Sequence, residues 1–222
     1  MIDTKSITSA RFFEQQRAAD WMPLSQLNLW RNPFGELSRD ERVQLAVIGE
    51  HEYELCNIGR WEAVQFIGDC GNGKTTRMLC FHKHCPNSSY VYLPEDEPCP
   101  PIAEGNPVLV DEAQRLPRRV MKELFATGLP LILATHKDLR KPLEKSGYTV
   151  KTVAIGNGNR AEHIQKVLNR RIESSRLSDG QVPTISLNDA KQLHKRFGGD
   201  IRSIEHHLYE EYQGAAVNHA KM

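Results

Sequence analysis

The stretch that most restricts this chain is Gly68-Asp69-Cys70-Gly71-Asn72-Gly73-Lys74-Thr75, which fits the pattern G-x-x-x-x-G-K-[ST]. The apolar run 64–67 precedes it and a helical run follows, so the expected local structure is strand, glycine loop, helix. Glycines let such a loop wrap with its amides pointing inward, where they cradle phosphate oxygens at a helix N-terminus. Lys74 then has the reach for the β and γ phosphates of a nucleoside triphosphate, and the Thr75 hydroxyl is a ligand for Mg2+. Thr76, in the first helical turn, completes the candidate nucleotide-contacting residues 68–76.

Such a loop holds phosphate but neither completes a magnesium site nor activates water. Val108-Leu109-Val110-Asp111-Glu112 supplies an apolar strand ending in two carboxylates. Asp111 is the candidate to hold Mg2+ through water, and Glu112 to orient and deprotonate an attacking water. The next apolar strand ends in Thr135-His136, where a polar group reaches a γ phosphate or that water, and Thr135 is the candidate. Near the C-terminus, Phe197-Gly198-Gly199-Asp200-Ile201-Arg202 reads as a helix end, a capping aspartate and a new helix. First helical turns favour acids, so an arginine at 202 implies a partner elsewhere.

Short apolar runs at 63–67, 89–93, 108–110, 129–134 and 149–155 alternate with helical stretches. That pattern predicts an α/β fold with a parallel sheet of about five strands flanked by helices. The connection 94–106, rich in Pro and acid, barely spans the dozen residues a parallel crossover needs and is expected to be irregular. Ahead of the core, residues 1–60 read as mainly helical and packed on it; Ser38 and Glu41 form a capping box for a helix over 39–48, and Asn32-Pro33-Phe34-Gly35 reads as a turn. Beyond Gly156-Asn157-Gly158-Asn159 the pattern turns helical, with Ile164, Val167, Leu168, Arg171, Ile172 and Ser175, and later Leu193, Phe197, Ile201, Ile204 and Leu208, at helical spacing. The expected division is therefore an N-terminal segment 1–60, a phosphate-loop core 61–156 and a small helical lid 157–222. A chain of 222 residues has no room for two large domains.

Lys plus Arg is 29 against 28 for Asp plus Glu, so no dominant field attracts nucleic acid or an anionic membrane. No run approaches the roughly 18 apolar residues of a membrane span, and the N-terminus has no signal-peptide core, which leads to an expectation of a cytoplasmic protein without membrane partners. Five cysteines without a repeated C-x-x-C pair are expected to be reduced thiols. Cys80-Phe81-His82-Lys83-His84-Cys85 is metal-like in composition, but on one helix those side chains spread around the axis and cannot close a tetrahedron.

Taken together, these motifs resemble the AAA+ ATPases. The 68–75 loop is similar to a Walker A loop, 108–112 to a Walker B strand, Thr135 to sensor 1, and Gly199-Asp200-Ile201-Arg202 to the sensor 2 motif of the helical lid. The resemblance covers about residues 60–212, and Gly68 to Thr75 together with Asp111-Glu112-Ala113-Gln114-Arg115-Leu116 are most similar to the helper ATPases of bacterial transposons and ExeA-type ATPases. It implies ATP and Mg2+ as ligands, slow or partner-stimulated hydrolysis, Lys74, Glu112, Thr135 and Arg202 as catalytic residues, homo-oligomerisation on ATP binding, and DNA, a transposase-like protein or another protein as client. Two departures stand out. Residues 143–148 carry no arginine where family members often place an intersubunit finger, with Arg140 a few positions earlier, and the short 94–106 connection argues against a threading unfoldase. A GTPase is disfavoured because Thr135-His136-Lys137-Asp138 puts its lysine one place late and Asp111-Glu112-Ala113-Gln114 lacks the D-x-x-G glycine. A small-molecule P-loop kinase stands ahead of a GTPase as an alternative, although it is not expected to have both Glu112 and a lid; an ATP-binding adaptor with negligible turnover is the non-enzymatic alternative.

Overall fold

The computed structural model describes residues 23–156 and 160–219, with side chains up to residue 214. They form two compact units. One comprises Leu37–Arg160 together with Gly198–Arg202, and the other the described residues up to Glu36 with Ala161–Phe197 and the chain from Ser203 onward.

The first unit holds the expected sheet. Its strands β1 (Glu62–Ile67), β2 (Ser89–Tyr92), β3 (Val108–Asp111), β4 (Leu131–Thr135) and β5 (Thr149–Ala154) are all parallel, in the order β2-β3-β4-β1-β5. Every residue of β3 and β4 is buried, which is why both read as unbroken apolar runs: helices cover both faces. On one face Val64, Phe66, Leu109, Ile132 and Ala134 pack with Met78 and Phe81 of α2 (Lys74–His84). On the other, Val108, Val110, Leu131 and Leu133 meet Leu124 and Phe125 of α3 (Arg118–Ala126) and Leu143 of α4 (Arg140–Lys145). β4 starts two residues later than its apolar run because Pro130 has no amide to give the ladder; its carbonyl still accepts from Val108 at 2.9 Å. The 94–106 connection carries neither helix nor strand, as its composition predicts.

The capping box forms, with Glu41 N–H to Ser38 Oγ at 3.2 Å and Ser38 N–H to Glu41 Oε2 at 2.9 Å. The helix it starts, α1 (Arg39–Gln44), stops four residues short of the expected 48. Val47 and Ile48, stiff at χ1, and then Gly49 lead instead into a 3-10 turn, Glu50–Cys56. From residue 23 to 60 the helical content is only that turn, α1 and a second 3-10 turn at Ser25–Leu27; residues 1–22 lie outside the described part.

Gln65, on β1, is fully buried yet satisfied at both ends of its amide. Its Nε2 donates to Asp138 Oδ1 (2.7 Å) and Thr152 Oγ1 (2.8 Å), and its Oε1 accepts from Leu139 N–H (2.9 Å). These bonds pin the loop after β4 to the sheet. Gln65→Leu is expected to cost about 2 kcal/mol, because it strands the buried Leu139 N–H without an acceptor; chemical denaturation of the variant measures it.

In the second unit, α5 (Ala161–Ser174), α6 (Leu187–Phe197) and most of α7 (Ile201–His219) bury Ile164, Leu168, Ile172, Ala190, Ile204 and Leu208. The 32–35 turn belongs to this unit. Arg171, 5% exposed, donates to Pro33 O (2.8 Å), Gly35 O (2.5 Å) and Glu205 Oε1 (2.6 Å), so one buried guanidinium fastens the turn to α5 and α7. Among the described residues no helix is long and apolar enough to cross a membrane.

Candidate nucleotide-binding site

The 68–75 loop leaves the C-terminal end of β1 and closes on the N-terminus of α2. Gly71 and Gly73 have φ of +79° and +83°, conformations that glycine adopts without strain. Lys74 lies at the first position of α2, 5% exposed, and its Nζ donates to the Gly68 and Asp69 carbonyls at 2.7 and 2.8 Å. Burial pulls its ammonium below the ordinary lysine range, and the carboxylates of Glu112 and Asp111 act against that pull. Thr76 is partly exposed on the following turn, and Asp69 and Cys70 are exposed.

The second motif lies against the first. Asp111, at the end of β3, has no exposed surface; it accepts from Tyr90 OH at 3.1 Å and from Glu112 N–H at 3.1 Å. Burial raises its pKa above the usual aspartate value, and the Thr75 hydroxyl, the Tyr90 hydroxyl and the Glu112 N–H limit the rise. Glu112 has φ +61° and ψ +39°, a left-handed conformation that costs a non-glycine residue. It starts the 3-10 turn Ala113–Arg115 and turns its carboxylate towards the loop. That carboxylate accepts from Gln114 Nε2 at 2.5 Å and stands 3.5 Å from His136 Nε2 and 3.8 Å from Arg115.

At the end of β4 the structure separates two neighbours that the sequence offers together. The Thr135 hydroxyl is engaged in its own turn, donating to Lys137 O (2.8 Å) and accepting from Lys137 N–H (3.0 Å). His136 is the side chain that faces the loop, with Nε2 3.5 Å from Lys74 Nζ and 3.7 Å from Cys70 Sγ. Its backbone N–H donates to Gln114 Oε1 at 3.1 Å.

The Gly198–Arg202 segment meets the loop within the same unit. A Cβ on Gly71 would run into the Asp200 carboxylate and come within 3.3 Å of Arg202 Cβ. Asn72, nearly buried, donates to Gly199 O (2.9 Å) and accepts from Asp69 N–H (3.3 Å) with its amide set to satisfy both. Arg202 is thus beside the loop, exposed, in the first turn of α7. Arg140 lies elsewhere, donating to Thr152 Oγ1 at 2.8 Å.

No protein-family model matches this chain, and no curated protein does. Among solved structures it is similar to Cdc6p from Pyrobaculum aerophilum, at 14% identity and a TM-score of 0.53, over 85% of this chain and 66% of that one. It spans just under two thirds of that protein's length. A structure described as a DNA replication initiation factor matches at 14% identity and a TM-score of 0.41, over 78% of this chain and 70% of that one. The chain shares with Cdc6p an α/β fold built on a five-stranded parallel sheet.

Within that fold, Thr75 and Asp111 offer oxygen donors of the kind Mg2+ takes. The Thr75 hydroxyl favours the charged form of the Asp111 carboxylate, and two such hard oxygen donors fit Mg2+ completing its shell with phosphate oxygens and water. Among the described residues no group of three or more His, Cys, Asp or Glu side chains could hold a metal, the 80–85 segment included. Sequence reasoning missed Tyr90, Gln114 and the Asn72 clasp on Gly199. Gln114 carries a weak signal, two residues after Glu112 on a tight turn; Tyr90 becomes visible only through the parallel register of β2 on β3.

Proposed function

We propose that this chain binds ATP with Mg2+ on residues 68–76 and hydrolyses it slowly, or when a partner stimulates it. It then acts as a molecular switch or helper ATPase on a DNA or protein client, self-associating in the ATP-bound form. The observation that carries the reading is the meeting of Lys74, Glu112 and His136 at the loop, with the buried Asp111 carboxylate also acting on Lys74. Lys74 would exchange its loop carbonyls for phosphate oxygens, and Thr75 and Asp111 would hold the metal. When bound, Mg2+ supplies positive charge to the β and γ oxygens. Glu112 would take the proton of the attacking water, and Arg202 would approach the phosphates from beside Gly71. The finer likeness to transposon helper ATPases and ExeA-type ATPases stays within this proposal, as do homo-oligomerisation and a cytoplasmic location.

A second reading, an ATP-binding adaptor with negligible turnover, is favoured by the 2.5 Å bond that ties Glu112 to Gln114. Titrating ATP and ADP with Mg2+, then following phosphate release against protein concentration with and without DNA, separates the two. Turnover that rises with concentration or DNA supports the switch; tight ATP binding with no release supports the adaptor; no ATP binding overturns both.

A further inference from the structure

We propose that Tyr90 is a positioning residue of the candidate metal site, holding the Asp111 carboxylate in the orientation from which it serves Mg2+ beside a bound nucleotide. The inference rests on the ATP reading above and deepens it. Asp111 is fully buried, so protein donors rather than bulk water orient its carboxylate. Two donors act on different oxygens. The Glu112 N–H donates to Oδ1 at 3.1 Å, and the Tyr90 hydroxyl donates to Oδ2 at 3.1 Å. One such bond alone would let the carboxylate swing about it, whereas the pair sets its plane.

The phenol is itself held from two sides. In the parallel register Tyr90 stands opposite Leu109, two residues before Asp111, and its ring packs against the cluster that includes Leu109, Met78 and Phe81. From α2, the His82 ring stacks on the Tyr90 ring with centroids 5.8 Å apart and planes 27° apart, and His82 Nδ1 lies 2.8 Å from Ser88 Oγ. The hydroxyl thus reaches Asp111 from a ring fixed to the same helix that Lys74 and Thr75 begin. Carboxylates that bind metals depend on such outer partners, and loss of one weakens metal affinity by about ten- to a hundredfold.

The test measures Kd for ATP with Mg2+, and again with EDTA in place of the metal, on the full chain and on Tyr90→Phe, with thermal melting to confirm folding. Phenylalanine keeps the ring and its stack on His82 and removes only the hydroxyl. Tyr90→Phe is expected to weaken ATP about tenfold when Mg2+ is present and to stay within about twofold when it is absent. In an Asp111→Asn background the same change is expected to take nothing more from the Mg2+-dependent gain, because Tyr90 acts through that carboxylate. Equal weakening with and without Mg2+, no weakening in either, or an undiminished further loss in the Asp111→Asn background overturns the assignment. If the unsubstituted chain gains affinity from Mg2+ and Tyr90→Phe keeps that gain, only this inference falls. If the unsubstituted chain binds ATP no better with Mg2+, the metal reading falls with it, and if it binds no ATP, so does the proposed function.

Discussion

Lys74→Ala is expected to lower affinity for ATP with Mg2+ by about a hundredfold or more while leaving the fold intact. Lys74 is the cation that the loop itself presents, and its Nζ is spent on two carbonyls of that loop. Two charge-assisted bonds to phosphate, at about 1.5–3 kcal/mol each, account for a loss of that size. Stability should hardly move, for a reason visible in the titration of the group. Burial lowers the folded-state pKa of Lys74 below its unfolded value, so the charged amine opposes folding at neutral pH, and this penalty fades as pH rises through the lowered pKa. Truncation removes that cost together with two hydrogen bonds, and the opposing changes offset. Calorimetric titration with ATP, paired with a thermal melt, checks both halves. Unchanged affinity would remove the 68–76 loop from the nucleotide site.

Much of this architecture is written locally. The 68–75 loop is legible because glycines at 71 and 73 are required by their positive φ and because Lys74 and Thr75 follow at fixed offsets. β3 and β4 are legible because burial on both faces leaves no polar residue to interrupt them before Asp111 and Thr135. What stays hidden depends on choices between near-equal local options or on distant partners. Thr135 and His136 are both polar and adjacent, and only the closure of the threonine hydroxyl on Lys137 decides which one faces the loop. The end of α1 at Gln44 reflects a balance of small propensities against the following 3-10 turn. The assignment of residues 23–36 to the helical unit depends on Arg171 reaching the Pro33 and Gly35 carbonyls, a pairing across more than a hundred positions that no local pattern encodes.

Glu112→Gln is expected to leave ATP binding within a few-fold and to reduce single-turnover hydrolysis by about a hundredfold or more. The substitution keeps the shape of the side chain and one hydrogen-bonding oxygen while removing its capacity to take a proton. Two features of the site argue that binding survives. The left-handed backbone at 112 is set by the turn into Ala113–Arg115 and is no harder for glutamine than for glutamate, so the loop keeps its course. The charge of Glu112 is also among the influences that raise the pKa of buried Asp111; removing it lets Asp111 ionise at lower pH, which leaves the candidate metal ligand at least as competent. The short contact with Gln114 becomes amide to amide, and it persists if the new carbonyl oxygen takes the place of Oε2. A bound but unhydrolysed ATP is the expected state of the variant, measured as stoichiometric nucleotide on the purified complex. Hydrolysis at the unsubstituted rate would reduce Glu112 to a strand-end carboxylate, and would leave the strain of its backbone without a catalytic purpose.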